Sequence, residues 1–309
     1  MLLAMVSTSA CSRQSAQPVP KSSTAPQASA TLAAVPPPPE TVILSHAVGR
    51  YSLRSNVPKI RIVPTTELPA ISGDPTQPSD ASCDSWGLIK AKSPEGRWAQ
   101  SRGWRVADEQ MLGPVRAVVM LRRYEYETEV CWAVDGRIVL FDGGKMIATI
   151  TTKPGEPLQV GAMWRTERGT LRIVTGSRDQ PFGDLVISDG HIAVEPLPPW
   201  DTSCHGRERI PNIIGMQIED ARKALGHAGW KPLRSPRVDP EVIDAAGSRY
   251  DQGLTEVVTC APQSSGVCLF QYRSPGATML VSQGDNSGTG AVFSYDVDCK
   301  RQIARRSRG

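Results

Sequence analysis

Between Trp86 and Leu197 the apolar residues come in short β-branched and aromatic runs separated by turn residues. The runs are "RAVVMLRRYEYE", "EVCWAV", "RIVLF", "KMIATI", "TLRIV", "DLVIS" and "HIAVEPL". Their length and flanking residues predict strands. Three turns carry Asp-Gly, at Asp135-Gly136, Asp142-Gly143 and Asp189-Gly190. Both residues tolerate positive φ, so Asp-Gly between apolar runs signals a hairpin. "AVDGRIVLFDGGKMIATI" therefore reads as a meander of three strands. No helical period is evident between Trp86 and Leu197. "TVILSHAV" and "KIRIV" add strands within residues 41–63, and the Pro-, Ser- and Asp-rich residues 64–84 read as a long loop. The expectation is an antiparallel sheet, as a sandwich or a partly open barrel.

The pattern changes after the prolines of "PLPPWDTSCHGRER", residues 196–209. Ile218, Ala221, Leu225 and Ala228 recur at spacings of 3, 4 and 3, so they share one helix face. Gly229 follows, where a helix-ending chain turns left-handed. The unit reads strand, turn at Gly215, helix, Gly, strand. A second β-rich run, "LTEVVTC", "VCLFQYRS", "TMLVSQ" and "AVFSYDV", fills residues 254–299. The fold expected is mainly β with a small α+β module at the C-terminal side. The domains expected are 1–11 as a leader, 12–40 as a tether, 41–202 as the β domain, 203–299 as the α+β module and 300–309 as a basic tail.

"IPNIIGMQIEDARKALGHAGWKP" resembles the first half of a PASTA repeat, with its hydrophobic-Pro entry, apolar-Gly turn and Ala-rich helix ending in Ala-Gly-aromatic. About 24 of the 309 residues are covered. Gln217 departs from the usual Ser, Thr or Asp N-cap. The second half departs too, because a PASTA unit ends in two strands joined by a Pro-Gly turn and has no cysteines. The resemblance implies a non-catalytic module and, from envelope proteins that carry such repeats, contact with muropeptides.

Composition enters here. The chain has 309 residues, 39% hydrophobic and 21% charged, enough to bury about two cores. A net charge of +4 falls short of the clustered basic footprint of a nucleic-acid binder, so no nucleic-acid partner is expected. Seven cysteines are present and none forms a C-x-x-C pair. Structural zinc and dithiol redox chemistry thus have no motif. An odd count in an exported chain calls for one cysteine with a separate role. If that is Cys11, six are left for three disulfides. Cys260 and Cys268 flank a hairpin turn, and Cys204 and Cys299 enter and leave the C-terminal module. Those pairs would leave Cys83 for Cys131, although six cysteines allow fifteen connectivities.

Cys11 ends "TSAC", which resembles the lipobox of bacterial lipoproteins. Ser9, Ala10 and Cys11 fit that pattern; Thr8 stands where an aliphatic residue is usual. The apolar run "LLAMV" before it is too short to span a bilayer and has no charged residue ahead of it. Either it is a weak signal or the true start lies upstream. Residues 12–40 carry seven prolines and little apolar bulk, a tether ending in the stiff "PPPP" of Pro36–Pro39. The resemblance implies lipidation of Cys11 and a membrane partner through that anchor. By the enteric pattern, Ser12 implies sorting to the outer membrane, facing the periplasm.

Catalytic patterns are missing. His46, His191, His205 and His227 fall in no metal-spacing motif, and neither G-x-S-x-G nor S-x-x-K occurs. "DGGKM" fails as a phosphate loop because Met146 follows Lys145. "DNSGTG" lacks the acids of a calcium loop. Glu125, Glu127 and Glu129 alternate as on a solvent-facing strand. No metal and no cofactor is expected. "LRRYEYETEVCW" offers a candidate interface through Arg122, Arg123, Tyr124 and Tyr126, residue types that often anchor partners; the alternative is cross-strand Arg–Glu pairing. The tryptophans read as core or sheet-packing residues, and the tail "KRQIARRSRG" as a solvated end.

The leading expectation is a non-catalytic, lipid-anchored envelope protein whose head binds peptidoglycan or an envelope partner. The alternatives are a periplasmic inhibitor or immunity lipoprotein against a toxin or lysozyme-like enzyme, and an envelope hydrolase of unrecognised site.

Overall fold

The structure is a computed structural model and describes residues 46–71, 83, 88–127, 130–176, 180–236, 245–260, 266–284 and 290–299. Cys11, the tether and the basic tail lie outside them. The first half contains β1 (His46–Val48), β2 (Tyr51–Ser55), β3 (Ile60–Pro64), α1 (Pro94–Ser101), β4 (Arg105–Leu112), β5 (Val115–Leu121) and β6 (Arg123–Glu127). It continues with β7 (Val130–Val134), β8 (Arg137–Asp142), β9 (Lys145–Thr152), β10 (Val160–Arg165), β11 (Leu171–Thr175), β12 (Pro181–Ser188) and β13 (His191–Glu195).

These strands build two main sheets, ordered β1-β2-β13-β12-β11-β10 and β3-β9-β8-β5-β4. Their inner faces share one core, in which Leu53, Ile173, Leu185 and Val194 meet Ile62, Val119, Ile138 and Leu140. The expected sheet is thus a sandwich, with no closed barrel among the described residues. One pair departs from the antiparallel expectation, since β13 runs parallel to β2 with His191 opposite Ser52. The near-continuous apolar run of β5 has a physical cause. Val115, Ala117, Val119 and Leu121 face the sandwich core, while Val118 and Met120 join a second cluster with Ala99 and Trp104. A strand buried on both faces loses its polar alternation.

That second cluster is covered by α1, where the sequence reading expected no helix. The helix is short. Pro94 opens its first turn and Ser93 caps it, accepting a hydrogen bond from the Gly96 N–H at 2.9 Å. A strand completes the cap: the Glu109 carboxylate on β4 accepts from the Lys92 N–H at 2.8 Å and from the Ser93 N–H at 3.2 Å. It lies so close that a Cβ at Gly96 would meet Glu109 Oε1 at 1.9 Å. Burial opposes ionisation of Glu109, but these hydrogen bonds outweigh it and hold its pKa below the usual value.

The meander is also corrected. Asp142-Gly143 does join the β8–β9 hairpin, and Asp189-Gly190 the β12–β13 hairpin. At Asp135-Gly136 the chain changes sheet instead. β7 pairs with β6 in a separate hairpin, whereas β8 pairs with β5 and β9. A Cβ at Gly136 would lie 1.6 Å from the Val160 carbonyl oxygen, so glycine there permits a close backbone crossing.

The second half contains β14 (Trp200–Ser203), β15 (Glu208–Pro211), α2 (Ile218–His227), β16 (Lys231–Pro232), α3 (Ala245–Asp251), β17 (Val257–Cys260), β18 (Cys268–Arg273), β19 (Ala277–Gly284) and β20 (Ala291–Cys299). The hairpin β14–β15 stands apart from a sheet ordered β16-β18-β19-β20, with β17 sharing β18's outer edge. Ile218, Ala221 and Leu225 of α2 are buried against Phe270, Met279 and Val281 of that sheet. Gln217 precedes the helix without a side-chain cap bond. Helix α3 was not expected from the sequence. Both halves belong to one unit, Thr41–Gly309. The structure joins Cys83 to Cys131, Cys204 to Cys299 and Cys260 to Cys268.

Leu225 is fully buried, so Leu225→Ala is expected to leave a cavity and cost about 2–5 kcal/mol. Lys223 on the same helix is paired with Asp220 in solvent, and Lys223→Ala is expected to leave the melt unchanged. Thermal unfolding of the two variants beside the parent checks the ranking. Equal melting temperatures for Leu225→Ala and parent would show that this helix face carries no packing.

Candidate functional site

The side chains of a strand alternate between its faces, and in β10, β11 and β12 this places opposite chemistries on the two sides. Met163, Ile173 and Leu185 enter the sandwich core. Their neighbours Trp164, Arg172 and Asp184 are cross-strand partners in one row on the outer face. Arg172 binds Asp184 twice, through Nε at 2.7 Å and Nη2 at 3.1 Å. It reaches Asp201 of β14 from Nη1 and, at 3.0 Å, from Nη2. Arg168, in the β10–β11 turn, donates to Asp184 at 3.0 Å. The Tyr295 hydroxyl, from β20, donates to Asp201 Oδ2 at 2.6 Å.

Five side chains from the outer sheet, the β14–β15 hairpin and the C-terminal sheet thus form one ionic cluster. Arg172 and Asp184 are 6% and 4% exposed, which is what makes the pairing obligatory. Burial opposes each charge, yet the hydrogen bonds and opposite charges win. They raise the pKa of Arg172 and lower that of Asp201. Burial and the Asp201 charge raise the pKa of Tyr295. These three groups stay charged, charged and protonated across neutral pH.

Above the cluster is a cleft of about 690 Å³, within the size range of ligand sites. Trp164, Arg165 and Arg172 line it from the outer sheet, Asp201 and Thr202 from β14, and Ser282, Ser294, Tyr295 and Val297 from β19 and β20. Two of its walls come from β14 and β20. β14 and β20 belong to different sheets. The Cys204–Cys299 bridge ties the residue after β14 to the last residue of β20, with Cα atoms 5.5 Å apart. Further back, the Tyr295 hydroxyl and the Asp201 carboxylate link the two strands. Trp164 is 38% exposed, in contrast to Trp104 and Trp230, which are core residues as expected.

The residues singled out from the sequence fall elsewhere. Tyr124 is buried in the sandwich core. Arg122 pairs with Asp135 at 3.7 Å and Arg123 with Glu125. Tyr126 is left exposed on the β6–β7 hairpin. They do not form one face and do not line the cleft. Sequence reasoning missed Trp164, Arg172, Asp184, Asp201 and Tyr295. The available signal was a charge inside each of two apolar strands, "LRIVT" and "PFGDLVIS". A Ser52–His191 contact of 2.5 Å links β2 and β13 on the surface, and among the described residues no carboxylate is hydrogen-bonded to His191. Among the described residues no group of three or more His, Cys, Asp and Glu could hold a metal, and no helix is long and apolar enough to cross a membrane. No family model matches the chain, and neither a curated protein nor a solved structure matches it significantly.

Proposed function

We propose that this chain is a non-catalytic envelope protein, anchored through lipid on Cys11, whose disulfide-linked head takes peptidoglycan or an envelope partner in the cleft beside Trp164. The observation that carries the reading is the ionic cluster under the cleft. A reaction centre needs an acid or base poised near the working pH. Arg172, Asp201 and Tyr295 are all held away from it by their partners. They brace the walls, and the exposed Trp164 ring is left to make contact. An aromatic surface beside hydroxyl and carboxylate groups suits binding.

The test has two parts. Full-length protein expressed in a bacterial host is expected to incorporate labelled palmitate, and Cys11→Ala to incorporate none. Equal labelling of the two would end the anchor reading. Immobilised protein is then exposed to solubilised muropeptides and envelope extract. Trp164→Ala is expected to weaken capture by roughly tenfold or more. Undiminished capture by Trp164→Ala would end the cleft reading.

A further inference from the structure

The main chain along one wall of the cleft narrows the class of ligand. In an antiparallel sheet, successive residues turn their N–H and C=O to opposite neighbours. Gln271 of β18 donates to the Glu256 carbonyl at 3.0 Å and accepts from the Leu233 N–H at 2.9 Å. Its main chain therefore faces the β16–β17 edge, and those of Phe270 and Tyr272 face β19. Their partners on β19 are Val281 and Met279. By alternation Leu280 and Ser282 turn to β20, where they meet Asp296 and Ser294. The main-chain groups of Tyr295 and Val297 consequently point outward from the sheet.

β20 is an edge strand, and both residues line the cleft. Among the described residues no hydrogen bond takes up their N–H or C=O groups. The start of the same edge is occupied by the chain itself. Val292 donates to the Met216 carbonyl and accepts from the Gly215 N–H, each at 2.8 Å, and Gln217 bridges to Ala291. So the edge already accepts one strand-like segment, which stops short of Tyr295. An unpaired edge is a template for another chain.

We infer that the cleft takes an extended peptide segment, which adds to the C-terminal sheet as a strand along Tyr295–Val297. The inference rests on the reading of the cleft as the binding site and names its ligand. Tyr295 and Val297 present donors and acceptors at a repeat of about 6.8 Å, which a polypeptide matches residue for residue. A sugar chain carries no such row of alternating groups. Asp296 and Asp298 are exposed on the same strand. A segment free of acidic residues is therefore favoured, with an apolar side chain to meet Trp164.

The full chain is panned against a display library of random linear peptides. Selected peptides are expected to be poor in Asp and Glu, and to lose binding when alternate amides are N-methylated. Val297→Pro removes one outward N–H without touching a ladder bond, a position at which a strand tolerates proline. It is expected to weaken a selected peptide by at least about tenfold while the melt stays at the parent value. Amide exchange at Tyr295 and Val297 is expected to slow when the peptide binds. Equal affinity for Val297→Pro and parent overturns the inference. So does failure to select any peptide. If Val297→Pro does not fold, unchanged exchange at the two amides overturns it instead. An oligomer of N-acetylglucosamine, run as a separate arm, keeps the two readings apart. If it binds in a Trp164-dependent way and no peptide is selected, the cleft reading stands and strand addition falls.

Discussion

Arg172→Met is expected to destabilise the protein by about 3–5 kcal/mol, the usual cost of removing one partner from a buried ion pair. Arg172 and Asp184 are almost completely buried, and Asp201 is 15% exposed. Without the guanidinium the two carboxylates face each other with, among the described residues, only the half-exposed Arg168 paired to them as counter-charge. The double variant Arg172→Met/Asp184→Leu is expected to recover much of the loss, because replacing a buried pair by apolar groups is often neutral. Urea unfolding of the three proteins measures this. The pH dependence supplies a second check. Asp201 has a lowered folded pKa, so its contribution is complete above the unfolded carboxylate value of about 4 and is lost as pH falls through the lower folded value. Arg172→Met is expected to lose less stability than parent across that acid window. A variant within about 0.5 kcal/mol of parent would show that the cluster contributes nothing net.

The second large effect belongs to the clasp that ties the end of β20 to the residue after β14. Replacing Cys204 and Cys299 together by alanine is expected to cost about 4–5 kcal/mol. The bridge closes a sequence separation of 95, and the chain-entropy estimate grows with loop length. The Cys260–Cys268 bridge spans a separation of 8 and is expected to cost about 2–3 kcal/mol when removed in the same way. Denaturant unfolding of the two double variants ranks them. A larger loss for the short loop would mean that native-state strain, not loop closure, governs these bridges. Opening the long clasp is also expected to weaken Trp164-dependent capture, since it frees one end of β20 from β14.

Local chemistry determined a good part of this molecule. Apolar runs and Asp-Gly turns specified most of the sandwich strands, and the spacing of Ile218, Ala221 and Leu225 specified α2. Those signals are read within a few residues of one another, which is why they can be seen in a single chain. The absence of an expected helix at residues 94–101 has the opposite cause. Helix α1 is eight residues long with little apolar face, and Glu109, from a neighbouring strand, completes its N-terminus. At Asp135-Gly136 the local turn signal was real, but the choice of neighbour belonged to Val160, 24 residues away.

The candidate site was the least legible part, and its residues show why. Arg172 and Asp184 are twelve residues apart and pair across adjacent strands, so an attentive reading of charges inside apolar strands could have found them. Asp201 and Tyr295 are 94 residues apart. Nothing in "WDTS" or "AVFSYDVDC" marks them as partners. Conversely, Tyr124 carried the composition of an interface residue but went to the core, while Tyr126, of the same strand parity, stayed exposed, so position along β6 and not parity decided it. The sequence alone determined the strands, the α2 face and the count of cysteines available for three bridges, since periodicity and residue chemistry are local. The tertiary structure alone decided the parallel β2–β13 pair, the ionic cluster and the unpaired edge of β20, since each depends on which distant strand arrives beside which.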